Sequence, residues 1–156
     1  MKNTLVILCI LAGLASCKKD KFETVPKISF VDVKPNVFSS DILSGARDFA
    51  PKLIMKVTDA EGDFGSDADT DSSFIYIKNL LTNSFDSVRF PNLDRAPKKD
   101  FDAEVSVNLF DFLECVDPGP VRPRTDTTYY EVYITDAKKN KSNVITTTKP
   151  VFFQCK

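Results

Sequence analysis

From residue 27 onward the chain is built of short runs in which apolar and polar residues alternate one by one, and no stretch repeats convincingly at the 3.6-residue period of a helix. Leu53, Met55 and Val57 alternate with Ile54, Lys56 and Thr58. Val105, Val107 and Leu109 alternate with Glu104, Ser106 and Asn108, and Tyr130, Val132 and Ile134 with Glu131, Tyr133 and Thr135. Ile28 and Phe30 flank Ser29 in a first short strand that Pro35 ends. Residues 74–77 are apolar on both faces, as in a central strand, and residues 85–90 form a weaker strand. Residues 144–153 are rich in β-branched side chains, with Pro150 marking an edge or a bulge. Successive side chains of a strand point to opposite faces, so each run offers one face to a core and one to water. About seven such strands, separated by Asp, Asn, Gly and Pro clusters, predict an all-β antiparallel two-layer sandwich over residues 27–156; an open barrel suits the periodicity as well. One helical turn is allowed within residues 39–49, and residues 115–127, with Pro118, Gly119, Pro120 and Pro123, read as a long extended loop.

The opening residues have a different character. Met1, Lys2 and Asn3 make a cationic start, an apolar run follows from Leu5 to Leu14, and small residues precede Cys17. That is the layout of a secretory signal peptide over residues 1–16. The apolar run is about half of the ~20 residues a membrane-spanning helix needs. The sequence Leu14-Ala15-Ser16-Cys17 resembles the lipobox of bacterial lipoproteins. The resemblance implies that the Cys17 thiol receives a diacylglycerol, that cleavage occurs before it, and that the new amine is acylated. Two or more chains, at ~0.8 kcal/mol per buried CH₂, anchor firmly where one does not. Residues 17–26, short and charged, then read as a tether between lipid and domain. The expected location is the outer membrane, with the periplasmic or surface side left open.

With the leader gone, about 140 residues remain, enough for one domain with its own core. Four cysteines are present; Cys9 leaves with the leader and Cys17 carries lipid on the lipobox reading. Cys115 and Cys155 remain in an exported chain, where a disulfide is the default and a free thiol or a metal pair the alternatives. The chain has no histidine and no tryptophan. The first absence removes the commonest general base and transition-metal ligand, and the second the commonest sugar-stacking side chain, for which Tyr129, Tyr130 and Tyr133 substitute only in part. A net charge of −1 without a basic stripe gives no reason to expect nucleic acid.

Two turns echo each other. Val57-Thr58-Asp59-Ala60 runs into Glu61-Gly62-Asp63-Phe64-Gly65, and Ile134-Thr135-Asp136-Ala137 runs into Lys138-Lys139-Asn140-Lys141-Ser142-Asn143. The second resembles the last hairpin of bacterial Ig-like domains, with Lys139 where a glycine is usual, which disfavours a left-handed turn there. The order of Cys17, the acidic turn 59–65, Cys115 before a Pro-rich loop, the Tyr-rich strand 129–135, the turn 140–143 and the terminal Cys155 resembles a group of uncharacterised Bacteroidetes-type envelope lipoproteins. Ala60 and Glu61 depart from the Gly and Asp of that group. The resemblance implies an Ig-like β-sandwich of about seven strands and brings no catalytic residues.

Asp59, Glu61 and Asp63 sit on alternate positions, and Asp67, Asp69 and Asp71 continue the spacing. Hard oxygen donors at this density are what Ca²⁺ requires. An EF-hand is excluded, because Ser72 replaces its turn glycine and Lys78 its bidentate glutamate. A site at one end of a sandwich, with Asp136 brought toward Asp59, Glu61 and Asp63, is the remaining calcium candidate; the plain alternative is a solvated acidic turn. No nucleophile elbow, phosphate loop or metal-ligand cluster is present, so catalysis is not expected. Phe110, Phe112, Phe152 and Phe153 flank the cysteines, as core around a disulfide or part of a docking patch. The function this predicts is a lipid-anchored envelope module without catalytic activity that binds another envelope protein or serves a structural role. Glycan or nutrient capture beside an outer-membrane transporter is the alternative, and a carboxylate-based hydrolase a more distant one.

Overall fold

The computed structural model describes residues 22–39, 46–64, 73–91, 99–116, 121 and 123–155. The leader, Cys17, the trio Asp67, Asp69 and Asp71, and the Pro118–Pro120 part of the loop lie outside the described residues. In chain order the strands are β1 (Lys27–Lys34), β2 (Val37–Phe38), β3 (Lys52–Asp59), β4 (Phe74–Asn79), β5 (Phe85–Arg89), β6 (Phe101–Asn108), β7 (Arg124–Thr128), β8 (Tyr130–Thr135), β9 (Ile145–Thr146) and β10 (Val151–Cys155). Single 3₁₀ turns stand at Ala46–Phe49 and Phe110–Phe112. Among the described residues no helix is long and apolar enough to cross a membrane.

One layer is the antiparallel sheet β1-β3-β6 and the facing one is β5-β4-β8-β9. Three runs are split in two. The cis Lys34–Pro35 peptide separates β1 from β2, Tyr129 separates β7 from β8, and residues 147–150, ending in Pro150, separate β9 from β10. Past these breaks the second layer continues as β7-β10-β2, with β10 antiparallel to β7 and parallel to β2. Joined across their breaks, the ten segments give the expected seven runs in an Ig-like sandwich order. The Pro150 break and the weak fifth strand are as expected. The 115–127 loop is shorter than expected, because Arg124–Thr128 pairs with β10 instead of remaining extended coil.

The alternation read from the sequence is what fills the core. Leu53, Met55 and Val57 of β3 face Ile75 and Ile77 of β4 and Tyr130, Val132 and Ile134 of β8, all fully buried. Each such side chain contributes about 1.5–3 kcal/mol relative to exposure. On β1, Ile28 and Val33 both point inward despite an odd spacing, because a bulge between Phe30 and Asp32 shifts the phase by one residue. Asn143 ties the layers by hydrogen bonds: its Oδ1 accepts from Ile28 N at 2.9 Å and its Nδ2 donates to Ile28 O at 2.9 Å. Residues 22–26, expected as the end of a tether, already bond to the domain. Pro26 is buried, and Glu23 O accepts a hydrogen bond from Ala60 N at 3.0 Å.

Candidate functional site

The inward alternation of β3 ends on Asp59, and that of β8 continues one step beyond the strand to Asp136. Both strands finish at the same end of the sandwich, so two aspartates occupy positions that further up the strands hold Val57 and Ile134. Both are wholly shielded from solvent. Asp63 joins them because the two turns are bonded together, Ala137 N donating to Asp63 O at 3.1 Å. Three rings adjoin them in chain and register: Phe64, which follows Asp63, stacks on Phe90 at 4.5 Å and tilts at 5.3 Å against Phe101, the register partner of Asp59.

The hydrogen bonding of the three carboxylates is uneven. Asp59 Oδ2 accepts from Glu61 N at 3.0 Å and Gly62 N at 2.6 Å, a tight turn that Gly62 completes at a positive φ of 61°. Asp59 Oδ1 is buried without a hydrogen-bond donor, and so are both oxygens of Asp63. Asp136 holds its own turn, its Oδ1 accepting from Asn140 N and its Oδ2 from Asn140 Nδ2, each at 2.7 Å. That carboxylate brace lets Lys139 adopt a positive φ of 69°, so the left-handed turn forms without the usual glycine. Burial first, then the Asp136 charge, push Asp63 above the usual carboxylate range. Burial also raises Asp59, against the two backbone N–H donors that favour its charged form. Glu61 is not part of this group. It forms an exposed ion pair with Lys138, whose ammonium lies 4.0 Å from Asp63 Oδ2.

Of the four residues singled out from the acidic turns, the fold therefore gathers Asp59, Asp63 and Asp136 and turns Glu61 to Lys138. A glycosidase needs two acids flanking a cleft that a substrate can enter. Here Asp59 and Asp136 are wholly buried and the Asp63 oxygens are shielded, so the trio is out of reach of a glycosidic bond. Among the described residues, the donors that approach one another within 4.8 Å as a set of three are those of Cys115, Asp126 and Cys155. Two of these are spent, because Cys115 and Cys155 form a disulfide with Cα atoms 6.0 Å apart. The three aspartate tips stand wider than that.

A second feature lies on the outer face of the β5-β4-β8-β9 sheet. Tyr76 and Tyr133 are direct cross-strand partners, stacked with centroids 4.6 Å apart and planes 13° apart. Phe85 lies beside both, at 5.9 Å from Tyr76 and 6.2 Å from Tyr133, with its plane within 23° of each. Phe74 extends the patch along β4. Lys141 places its ammonium 3.9 Å from the Tyr133 ring centre, and Lys139 lies 5.7 Å from that of Phe74. Phe85 is 55% exposed and Tyr129, at the β7–β8 break, 40%. Sequence reading picked out Tyr129 and Tyr133 but missed Tyr76 and Phe85. The signal was present as aromatics on the polar-phase positions of β4 and β8, yet only the register brings them into one patch. Around the disulfide, Phe112 and Phe153 are buried and Phe110 is partly so, giving the core reading of that cluster.

No protein-family model, curated protein or solved structure matches the chain.

Proposed function

We propose that this chain is a lipid-anchored binding module of the bacterial cell envelope, without catalytic activity, whose contact surface is the aromatic face of the β5-β4-β8-β9 sheet. The observation that carries the reading is the patch of Tyr76, Tyr133 and Phe85, three near-parallel rings on an outer sheet face. Aromatic residues on a rigid strand framework supply contact area at a low entropic cost, which is why they dominate binding surfaces. The Lys141 ammonium at its edge adds a hydrogen-bond donor for a polar ligand. Acyl chains on Cys17 hold the domain at the outer membrane, and the partner is another envelope protein. Pull-down from envelope extracts with the wild-type protein and with a Tyr76→Ala, Tyr133→Ala variant tests this. Recovery of one partner by the wild type and its loss in the variant is expected; equal recovery by both refutes the assignment of the face. Mass spectrometry of the native protein tests the anchor, and an unmodified Cys17 refutes it.

A carbohydrate ligand, captured beside an outer-membrane transporter, is the second reading. It is favoured by exposed Phe85 and Tyr129, which present ring area that a sugar's C–H face can stack against, with Lys141 near its hydroxyls. Glycan-array binding that is lost in the same variant distinguishes it from a protein partner.

A further inference from the structure

We infer that Asp59, Asp63 and Asp136 form a single Ca²⁺ site that locks the turn after β3 to the turn after β8. The inference rests on hydrogen-bond arithmetic as well as on acidity. Asp59 is wholly shielded, yet its Oδ1 has no hydrogen-bond donor, and the two Asp63 oxygens are shielded without a donor as well, Oδ2 having only the Lys138 ammonium at 4.0 Å. Native folds hydrogen-bond the large majority of their buried side-chain oxygens, so three shielded carboxylate oxygens without a donor in one place call for a ligand. Asp136 points into the same end, its two oxygens each using one lone pair on Asn140 and keeping others free. The three carboxylates repel one another: Asp136 acts on both Asp59 and Asp63, and Asp59 acts on Asp63. The nearest opposing charge is Lys138, which sits on Glu61 and stays 4.0 Å from Asp63 Oδ2.

The donor set selects the ion. With carboxylate oxygens only, and with no histidine in the chain, zinc and copper are poorly served. Mg²⁺ demands a tight octahedron at about 2.0–2.1 Å, whereas Ca²⁺ accepts six to eight oxygens at about 2.3–2.6 Å in loose geometry. As a set of three the aspartate donors stand wider than 4.8 Å, so one ion reaches all of them only if the two turns draw together on binding, and the looser, longer coordination of Ca²⁺ asks for the smaller movement. The framework for that closure is in place, since Ala137 N already bonds to Asp63 O and Ala60 N to Glu23 O. The ion therefore stiffens the end of the sandwich against which residues 22–26 pack.

The test uses the whole protein as purified from its host in detergent, melted in EDTA and then across a Ca²⁺ series, with binding followed by calorimetry. A single site with a Kd on the order of 10⁻⁴–10⁻³ M, the range of extracellular modules, is expected. At a Ca²⁺ concentration tenfold above Kd, the Tm rises by about 5 °C. Asp63→Asn removes the Ca²⁺ response and, because it deletes one of three repelling charges, raises the Tm in EDTA. Asp59→Asn gives the same loss of response, while Glu104→Gln, on the exposed side of β6, leaves it intact. No binding heat and no Tm change with Ca²⁺ in the wild type overturns the site. So does a full Ca²⁺ response in Asp63→Asn, or an equal response to Mg²⁺ at the same concentration, which identifies charge screening instead.

Discussion

Replacing both Cys115 and Cys155 by alanine should cost about 4 kcal/mol, nearly all of it through the unfolded chain. The bond closes a loop with a sequence separation of 40 residues. In the chain-entropy treatment, ΔS is about −2.1 − 1.5R ln n, or roughly −13 cal/mol/K for such a loop, and at 25 °C that is ~3.9 kcal/mol. Against a typical domain stability of about 5–15 kcal/mol this leaves the variant folded but marginal, with a Tm lower by on the order of 10–15 °C. The native contacts that remain are real but few on this side. Arg124 donates to Val116 O at 3.0 Å and pairs with Asp126, and β10 still bonds to β7 and β2. Urea unfolding of wild type and variant, with the wild type also measured after reduction, gives the number. A second signature separates an unfolded-state effect from lost packing: without the cross-link the denatured chain expands, so the m value rises. Hydrogen exchange should place the extra opening in β7 and β10. A loss below ~1 kcal/mol with an unchanged m value would refute the reasoning, because it would mean that the denatured chain already keeps this loop closed.

Other perturbations probe different parts of the frame. In metal-free buffer, Asp59 and Asp63, raised mainly by burial, bind protons more readily folded than unfolded, so stability falls as pH climbs through and above the ordinary carboxylate range. Urea midpoints from pH 3 to 8 in EDTA should show this decline flattened in Asp63→Asn; superimposable curves would contradict it. Asp32, hydrogen-bonded by Lys149 and Lys34, is lowered and acts in the opposite sense, its contribution being complete above the ordinary range and lost as pH falls toward its folded value. An Asp32→Asn variant should therefore lose stability at neutral pH and converge on the wild type in acid. Asn79→Ala should cost about 2–4 kcal/mol by urea unfolding, since this buried amide accepts from Leu81 N at 2.9 Å and Thr128 Oγ1 at 2.6 Å and donates to Phe112 O at 3.0 Å. Lys139→Gly should gain about 0.5–1 kcal/mol by relieving the positive φ, and a loss would show that the Lys139 contact with Phe74 outweighs it.

The fold was legible because one physical rule, alternation against a shared core, governs most of it; where a second rule intervenes, the reading stops. Leu53, Met55 and Val57 announce β3 without help from any neighbour, and the same holds for Val105 and Val107 in β6. The β1 bulge and the split between β7 and β8 are set by pairing partners far along the chain, so alternation alone misplaces them. The acidic turns show both sides of this limit. Spacing picked out Asp59, Asp63 and Asp136, yet also Glu61, which is equivalent by spacing and ends on Lys138. Phase accounts for Asp59 and Asp136, which fall on the inward beats of β3 and β8; Glu61 and Asp63 are sorted by the turn itself, where Asp59 Oδ2 takes Glu61 N and Gly62 N and Asp63 O takes Ala137 N. That phase could have been counted from Leu53 and Tyr130 in the sequence itself. The first carboxylate that a strand's inward beat meets at its end, Asp59 on β3 and Asp136 just past β8, marks the polar site at the mouth of this apolar core. The aromatic face is the complementary case. Tyr76 and Tyr133 sit on the outward beat, where large rings have no core to fill, and a sequence that places them there in two adjacent strands has spent aromatic area on a surface that water alone does not reward.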